Sequence, residues 1–160
     1  MIIHTRFGDW EVEENKIITM EGPILGFEGV KEYVLLPAGE GVPVYWFQAV
    51  REVGVVFMVM DPLLVQPRYA PNLKAACERL EIRKEEEMAL IAIVTVRENP
   101  FSASLNLRAP ILINARTRKG RQVVLEEDTY PLRYPIGEIM GGKEAEGILS
   151  LSGEAVKRCG

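Results

Sequence analysis

Histidine and cysteine are nearly absent from this chain of 160 residues, which has one of the former and two of the latter. That scarcity leaves little room for metal chemistry, because a zinc site needs several His, Cys or carboxylate ligands at short spacings. Cys77 and Cys159 stand far apart in sequence. They suggest no disulfide framework and point to a reducing, cytoplasmic compartment. His4 lies alone in a strand-like stretch, where a general base would need an orienting partner and a nucleophile. A Gly-x-Ser-x-Gly elbow is missing, as are a phosphate loop and a dinucleotide fingerprint. Gly141-Gly142-Lys143 lacks the spacing and the preceding strand for phosphate binding. Neither a cofactor nor a metal is expected. No apolar run approaches the ~20 residues of a membrane helix, the nearest being "VGVVFMVM" at 53–60. The opening "MIIHTRFGDW" is not a signal segment, so no membrane association is expected. Positive charge is also short: a net charge of −4 and a pI near 5.2 argue against nucleic acid as a direct partner.

What is present is ordinary for a folded globular domain, with 48% apolar and 26% charged residues. A chain of this length buries roughly 70% of its unfolded surface and folds without a staple. The pattern is mostly period two with frequent turn residues. "IIHTRF" and "WEVEE" read as a first hairpin around Gly8-Asp9. "KIITM", "KEYVLLP" and "VYWFQAV" read as strands, with a glycine-rich crossover, "EGPILGFEGV", after the first of them. In "VYWFQAV" three adjacent aromatics point to alternating faces, so either both faces are covered or one aromatic is a candidate protein contact. "VGVVFMVMDP" is apolar on both faces and reads as a doubly buried strand stopped by Asp61-Pro62. One helix is expected at about 72–80, capped by Asn72, with Leu73, Ala76, Cys77 and Leu80 on one face. "MALIAIVTV", "LNLRAPILIN" and "QVVLEE" are further strands, and Lys119-Gly120 supplies the turn between the last two. The expected fold is mainly β: a small barrel or barrel-like sandwich of about eight or nine short antiparallel strands with that one helix. Residues 1–136 form the single domain. Residues 137–160, glycine-rich and without a strong period, form a weakly ordered or partly helical tail.

Two clusters invite a functional reading. Glu28 and Asp61 sit at strand ends and could serve acid–base work in a small hydrolase or isomerase. Asp61 before a proline also serves simply to end a strand. Arg116, Arg118, Lys119 and Arg121 could meet the phosphates of an RNA, but no aromatic is interleaved to stack on bases. They read equally as a hairpin tip kept soluble by charge. In "NLRAPILIN" (106–114) Pro110 cannot donate to a ladder. It suggests an edge strand or a bulge, open to a partner that adds a strand. Asn106 and Asn114 read as strand-end residues that satisfy the backbone where the strand begins and ends. These residues favour a binding protein with no assembled catalytic group.

Several motifs in order resemble the flagellar assembly factor family (FliW). They are "MIIHTRFGDWEV", "IITMEGPILGFEG" with Gly26-Phe27-Glu28, "WFQAV", "VVFMVMDP", "LIAIVTV", "LNLRAPILIN" and "RKGRQVVLEEDTYPLRYPI". Together they span residues 1–136. Leu25 departs from the family's proline before Gly-Phe-Glu, and Arg68 replaces an acidic residue before Tyr69. The resemblance implies a non-enzymatic cytoplasmic regulator. Family members bind flagellin and, when freed by its export, bind the carbon storage regulator, a small RNA-binding translational repressor, and so relieve repression of flagellin synthesis. The candidate contact residues it implies are Phe27, Glu28, Asn106, Arg108 and Asn114.

Overall fold

The computed structural model describes residues 1–126 and 130–140. The chain opens with a hairpin of β1 (Ile2–Thr5) and β2 (Gly8–Glu11). Its turn is held by Thr5, whose hydroxyl donates to the Gly8 carbonyl (2.8 Å) and accepts from the Phe7 N–H (3.0 Å). Gly8 takes φ 111°, a conformation that glycine adopts at little cost.

Next come β3 (Ile18–Met20), β4 (Glu32–Pro37), β5 (Tyr45–Ala49), β6 (Val56–Met60), β7 (Met88–Thr95), β8 (Ser104–Leu105), β9 (Ile111–Asn114), β10 (Lys119–Gln122) and β11 (Tyr134–Pro135). Seven of them close into a barrel in the order β3-β4-β5-β6-β7-β9-β10, with β10 returning to β3. The eight residues of β7 do two jobs: Met88–Ile91 pair with β9, and Val94-Thr95 pair with β8, which carries β11 as a flap. The mainly-β barrel expected from period-two patterning is present. The described strands number eleven because β8 and β11 are only two residues long. The β3–β10 contact is parallel, unlike the antiparallel pairings around it.

Alternation places Ile18, Tyr33, Phe47, Val59, Ile91, Ile111 and Ile113 inside the barrel. Tyr33 stacks on Phe47 with ring centroids 4.4 Å apart. Burial and the nearby Glu52 carboxylate push the Tyr33 phenol up to about 12. Gly120 also faces inward: a Cβ there would lie 3.1 Å from the Met20 sulfur and 3.3 Å from Ile113 and Ile18. It is thus a space-saving strand residue, not the turn glycine expected. The β9–β10 turn is made by Arg118, at φ 61°. Outside the barrel the β1–β2 hairpin covers one face, where Phe7 stacks on Trp46 (4.9 Å). Trp46 and Phe47 are both buried on opposite faces, and Tyr45 is left 43% exposed. Strand β6 is covered on both sides, as its composition demanded.

Helix α1 (Lys74–Arg79) packs Ala76, Cys77 and Leu80 over Leu112 on the outer face of β9. The Asn72 carboxamide accepts from the Lys74 N–H (3.3 Å), so it caps from just outside the helix. A second helix, α2 (Gly137–Met140), buries Met140 in the outer core and packs on the 3-10 turn Pro100–Ser102. It occupies the start of the segment read as a tail. The rest of that segment, 141–160, lies outside the described residues. No described helix is long and apolar enough to cross a membrane.

Candidate functional site

The two asparagines of "NLRAPILIN" perform the same local task. The Asn106 Oδ1 accepts from the N–H groups of Arg108 (3.1 Å) and Ala109 (3.0 Å). The Asn114 Oδ1 accepts from those of Arg116 (2.9 Å) and Thr117 (3.1 Å). Each closes a turn at one end of the segment. The Asn114 amide also donates to the Leu80 carbonyl (2.9 Å), which pins the end of α1 to the barrel. Asn114, expected among the contact residues, is fully buried, and its polar atoms are bonded inside the fold. Asn106 is half-buried, with its acceptor committed. Arg108, also half-buried, donates from Nε to the Tyr130 carbonyl (3.2 Å).

Pro110 does not mark an edge. It immediately precedes β9, which is paired on one side with β7 and on the other with β10. The missing donor therefore costs no rung. Its carbonyl accepts from the Val123 N–H (2.8 Å), and the Arg108 carbonyl accepts from the Leu125 N–H (2.8 Å). These bonds carry the ladder past Gln122. Opposite the segment 123–126 stands α1, and between them lies a groove of about 700 Å³. Its apolar lining comes from Ala75, Val123, Leu125 and Tyr130, and its charges from Lys74, Glu78 and Glu126. Tyr130 is fixed there by edge-on contact with Tyr69 (4.7 Å) and by accepting from the Ala70 N–H (3.2 Å). Tyr69 is itself buried and donates to the Leu107 carbonyl, and burial raises its phenol above the usual range.

On the other flank of 122–126 lies the crossover between β3 and β4. Gly26 turns it at φ 90°. Phe27 sets its ring edge-on to Phe57 (4.9 Å) and stays 37% exposed. Leu25 is 65% exposed, and its N–H donates to the Gln122 Oε1 (3.0 Å). A proline there could not make that bond. The Gln122 amide donates in turn to the Ala109 carbonyl (3.2 Å), joining the crossover to the turn closed by Asn106. Phe27, Glu28, Asn106 and Arg108 thus border two sides of one region, with Gln122 between them. Sequence reasoning missed Gln122, Val124 and Leu125, since one polar residue in an apolar strand carries no signal of its long-range partners.

The carboxylates read as possible catalysts serve local turns. The Asp61 Oδ1 accepts from the Leu63 N–H (2.9 Å), and the Glu28 Oε1 from the Gly26 N–H (3.3 Å). The basic hairpin tip faces acids: Arg116 pairs with Glu87 (3.0 Å) and Lys119 with Glu21 (3.8 Å). Arg118 donates to the Lys16 carbonyl, and its partial burial lowers its pKa. His4 meets Asp9 (2.8 Å) on an exposed surface. No group of three or more His, Cys, Asp or Glu among the described residues could hold a metal.

The Glu87 carboxyl is held below the usual glutamate range, first by the Arg116 side chain and then by the Arg83 N–H. A lowered folded-state pKa adds stability above the ordinary value of about 4.3. That contribution is lost as pH falls through the lowered value. Glu87→Gln is therefore expected to flatten the acid side of the stability profile below about pH 4.3, and to leave no steeper dependence at neutral pH. Urea-unfolding midpoints across that range test this, and identical acid slopes for both proteins would count against it.

The FliW protein family model matches residues 1–136. The flagellar assembly factor FliW of Syntrophus aciditrophicus (strain SB) is 47% identical over 133 residues, covering 82% of this chain and 84% of that protein. The flagellar assembly factor FliW of Geobacter sulfurreducens is 36% identical over 151 residues, covering 94% of each. A crystal structure of the flagellar assembly factor FliW superposes with a TM-score of 0.76 at 33% identity, covering 84% of this chain and 96% of that one.

Proposed function

The chain belongs to the FliW family of flagellar assembly factors, and on that premise we propose that it works by binding two proteins in the cytoplasm, flagellin and the carbon storage regulator. Held by flagellin, it leaves the regulator free to repress flagellin synthesis. Released by flagellin export, it sequesters the regulator and synthesis resumes. The observation that carries this reading is the family match across the whole barrel. The groove beside α1 supports it, since an apolar trough with a charged rim suits an amphipathic helical segment of flagellin. The role is one of binding, not catalysis.

Calorimetry with flagellin and with the regulator of the same organism tests the reading. Micromolar or tighter binding to both is expected, and no binding to either would sink it. Ala75 is exposed on the groove side of α1. Ala75→Trp fills the trough without entering the core, so flagellin affinity is expected to fall at least about tenfold with the melting temperature unchanged. Undiminished flagellin binding by this variant would move flagellin off the groove.

A further inference from the structure

Beyond the end of β10 at Gln122, the backbone of Val123–Glu126 runs on outside any strand, bonded to one side only among the described residues. The N–H groups of Val123 and Leu125 point to the Asn106–Pro110 turn and are bonded there. Alternation sends those of Val124 and Glu126 the opposite way, and neither has a partner among the described residues. The neighbour that should have covered this side is the continuation of β3. It makes its last rung where the Glu21 N–H donates to the Gly120 carbonyl (2.8 Å), and it bends away at Glu21-Gly22.

Such edges are usually blunted. The β11 edge is two residues long and contains Pro135. The β1–β2 hairpin carries outward His4, Asp9 and Glu11. The Gln122–Glu126 edge contains no proline, and its one charged residue, Glu126, stands at its end. Val124 is 53% exposed upon it, and Leu25 is 65% exposed beside it. One face of this edge continues into the groove below α1, where Glu78 and Glu126 outnumber Lys74 and none of the three is in an ion pair among the described residues.

We propose that this edge is a strand-addition site, and that its occupant is an extended segment of the carbon storage regulator. The inference rests on the function proposed above and goes further, to the binding mode. Main-chain bonds to Val124 and Glu126 supply affinity, and alternate side chains of the added strand rest on Leu25 and Val124 or enter the groove. Of the two proposed partners the regulator is the one whose RNA binding requires lysine and arginine, which complement Glu78 and Glu126.

The test uses the full-length chain and the regulator of the same organism. Val124→Pro removes the free donor and leaves the inner rungs at Val123 and Leu125. It is expected to weaken regulator binding at least about tenfold, whereas Val124→Thr, which keeps the N–H and the shape, stays within about threefold. In the unmutated complex the Val124 and Glu126 amides are expected to exchange at least about tenfold more slowly than in the free protein. This second measurement decides the matter if Val124→Pro melts early. Regulator binding with both amides unprotected would overturn strand addition and leave the proposed function standing. Protection by flagellin alone, or by self-association of this chain, would overturn the assigned occupant. Failure to bind either protein would remove the proposed function as well.

Discussion

Gly137→Ala is expected to cost about 3 kcal/mol, the upper end for overpacking, and to lower the melting temperature by about 6–12 °C for a chain of this size. A Cβ at Gly137 would lie 2.0 Å from the Phe101 carbonyl oxygen and 2.8 Å from its carbonyl carbon. Those are backbone atoms, so no rotamer change relieves the clash. Either α2 lifts away or the 3-10 turn Pro100–Ser102 shifts. Lifting α2 withdraws Met140 and strains Ile136, both buried in the outer core. Gly29→Ala is the control: its Cβ would meet nothing within 4 Å, and its φ is not in the left-handed region. That change should be neutral or mildly stabilising, by up to about 1 kcal/mol. Thermal melts of the two variants side by side check both statements, and equal melting temperatures would contradict the contact at Gly137.

Asn114→Ala should cost about as much, by a different route. The side chain supplies three hydrogen bonds in a fully buried position. Alanine leaves the Leu80 carbonyl without its donor and the Arg116 and Thr117 N–H groups without their acceptor. At about 1–3 kcal/mol per buried unsatisfied group, with partial relief by water at the turn, the loss is about 3 kcal/mol. Asn106→Ala removes a similar turn at a half-buried site, where water replaces the lost acceptor, and should cost only about 1 kcal/mol. Urea denaturation of both variants tests the ordering. Exchange rates should also show α1 loosening in Asn114→Ala alone, because Asn106 has no bond to that helix.

The barrel was legible because its strands obey period two and are punctuated by turn residues. The helix was legible because Leu73, Ala76, Cys77 and Leu80 share a face. The strand-end role of the asparagines followed from their local chemistry, which needs only neighbours two and three residues away. What could not be read was everything set by closure. Pro110 looks like an edge marker until β7 and β10 are known to flank the strand that follows it. Lys119-Gly120 looks like a turn, because sequence cannot reveal that Met20, Ile18 and Ile113 leave no room for a side chain there. The flank at Val124, unpaired among the described residues, arises where the chain bends away after β3 at Glu21-Gly22, about a hundred residues away in sequence. Phe27 and Glu28 lie on the crossover that bonds Gln122 through Leu25, and Asn106 closes the turn whose Ala109 carbonyl Gln122 also bonds, links between segments far apart in sequence that no local pattern announces.

The parallel seam between β3 and β10 has a kinetic consequence. It joins Thr19 to Lys119 and Met20 to Gly120, so the barrel closes only through contacts about 100 residues apart. Loop-closure entropy must be met before that contact gives any return, which places this chain among slowly folding topologies. During synthesis β3 emerges long before β10. At about 5–20 residues per second, the wait is on the order of 5–20 s. Gln122–Glu126 and the groove beside α1 take shape only once that wait is over, so a half-made chain holds neither that edge nor that groove.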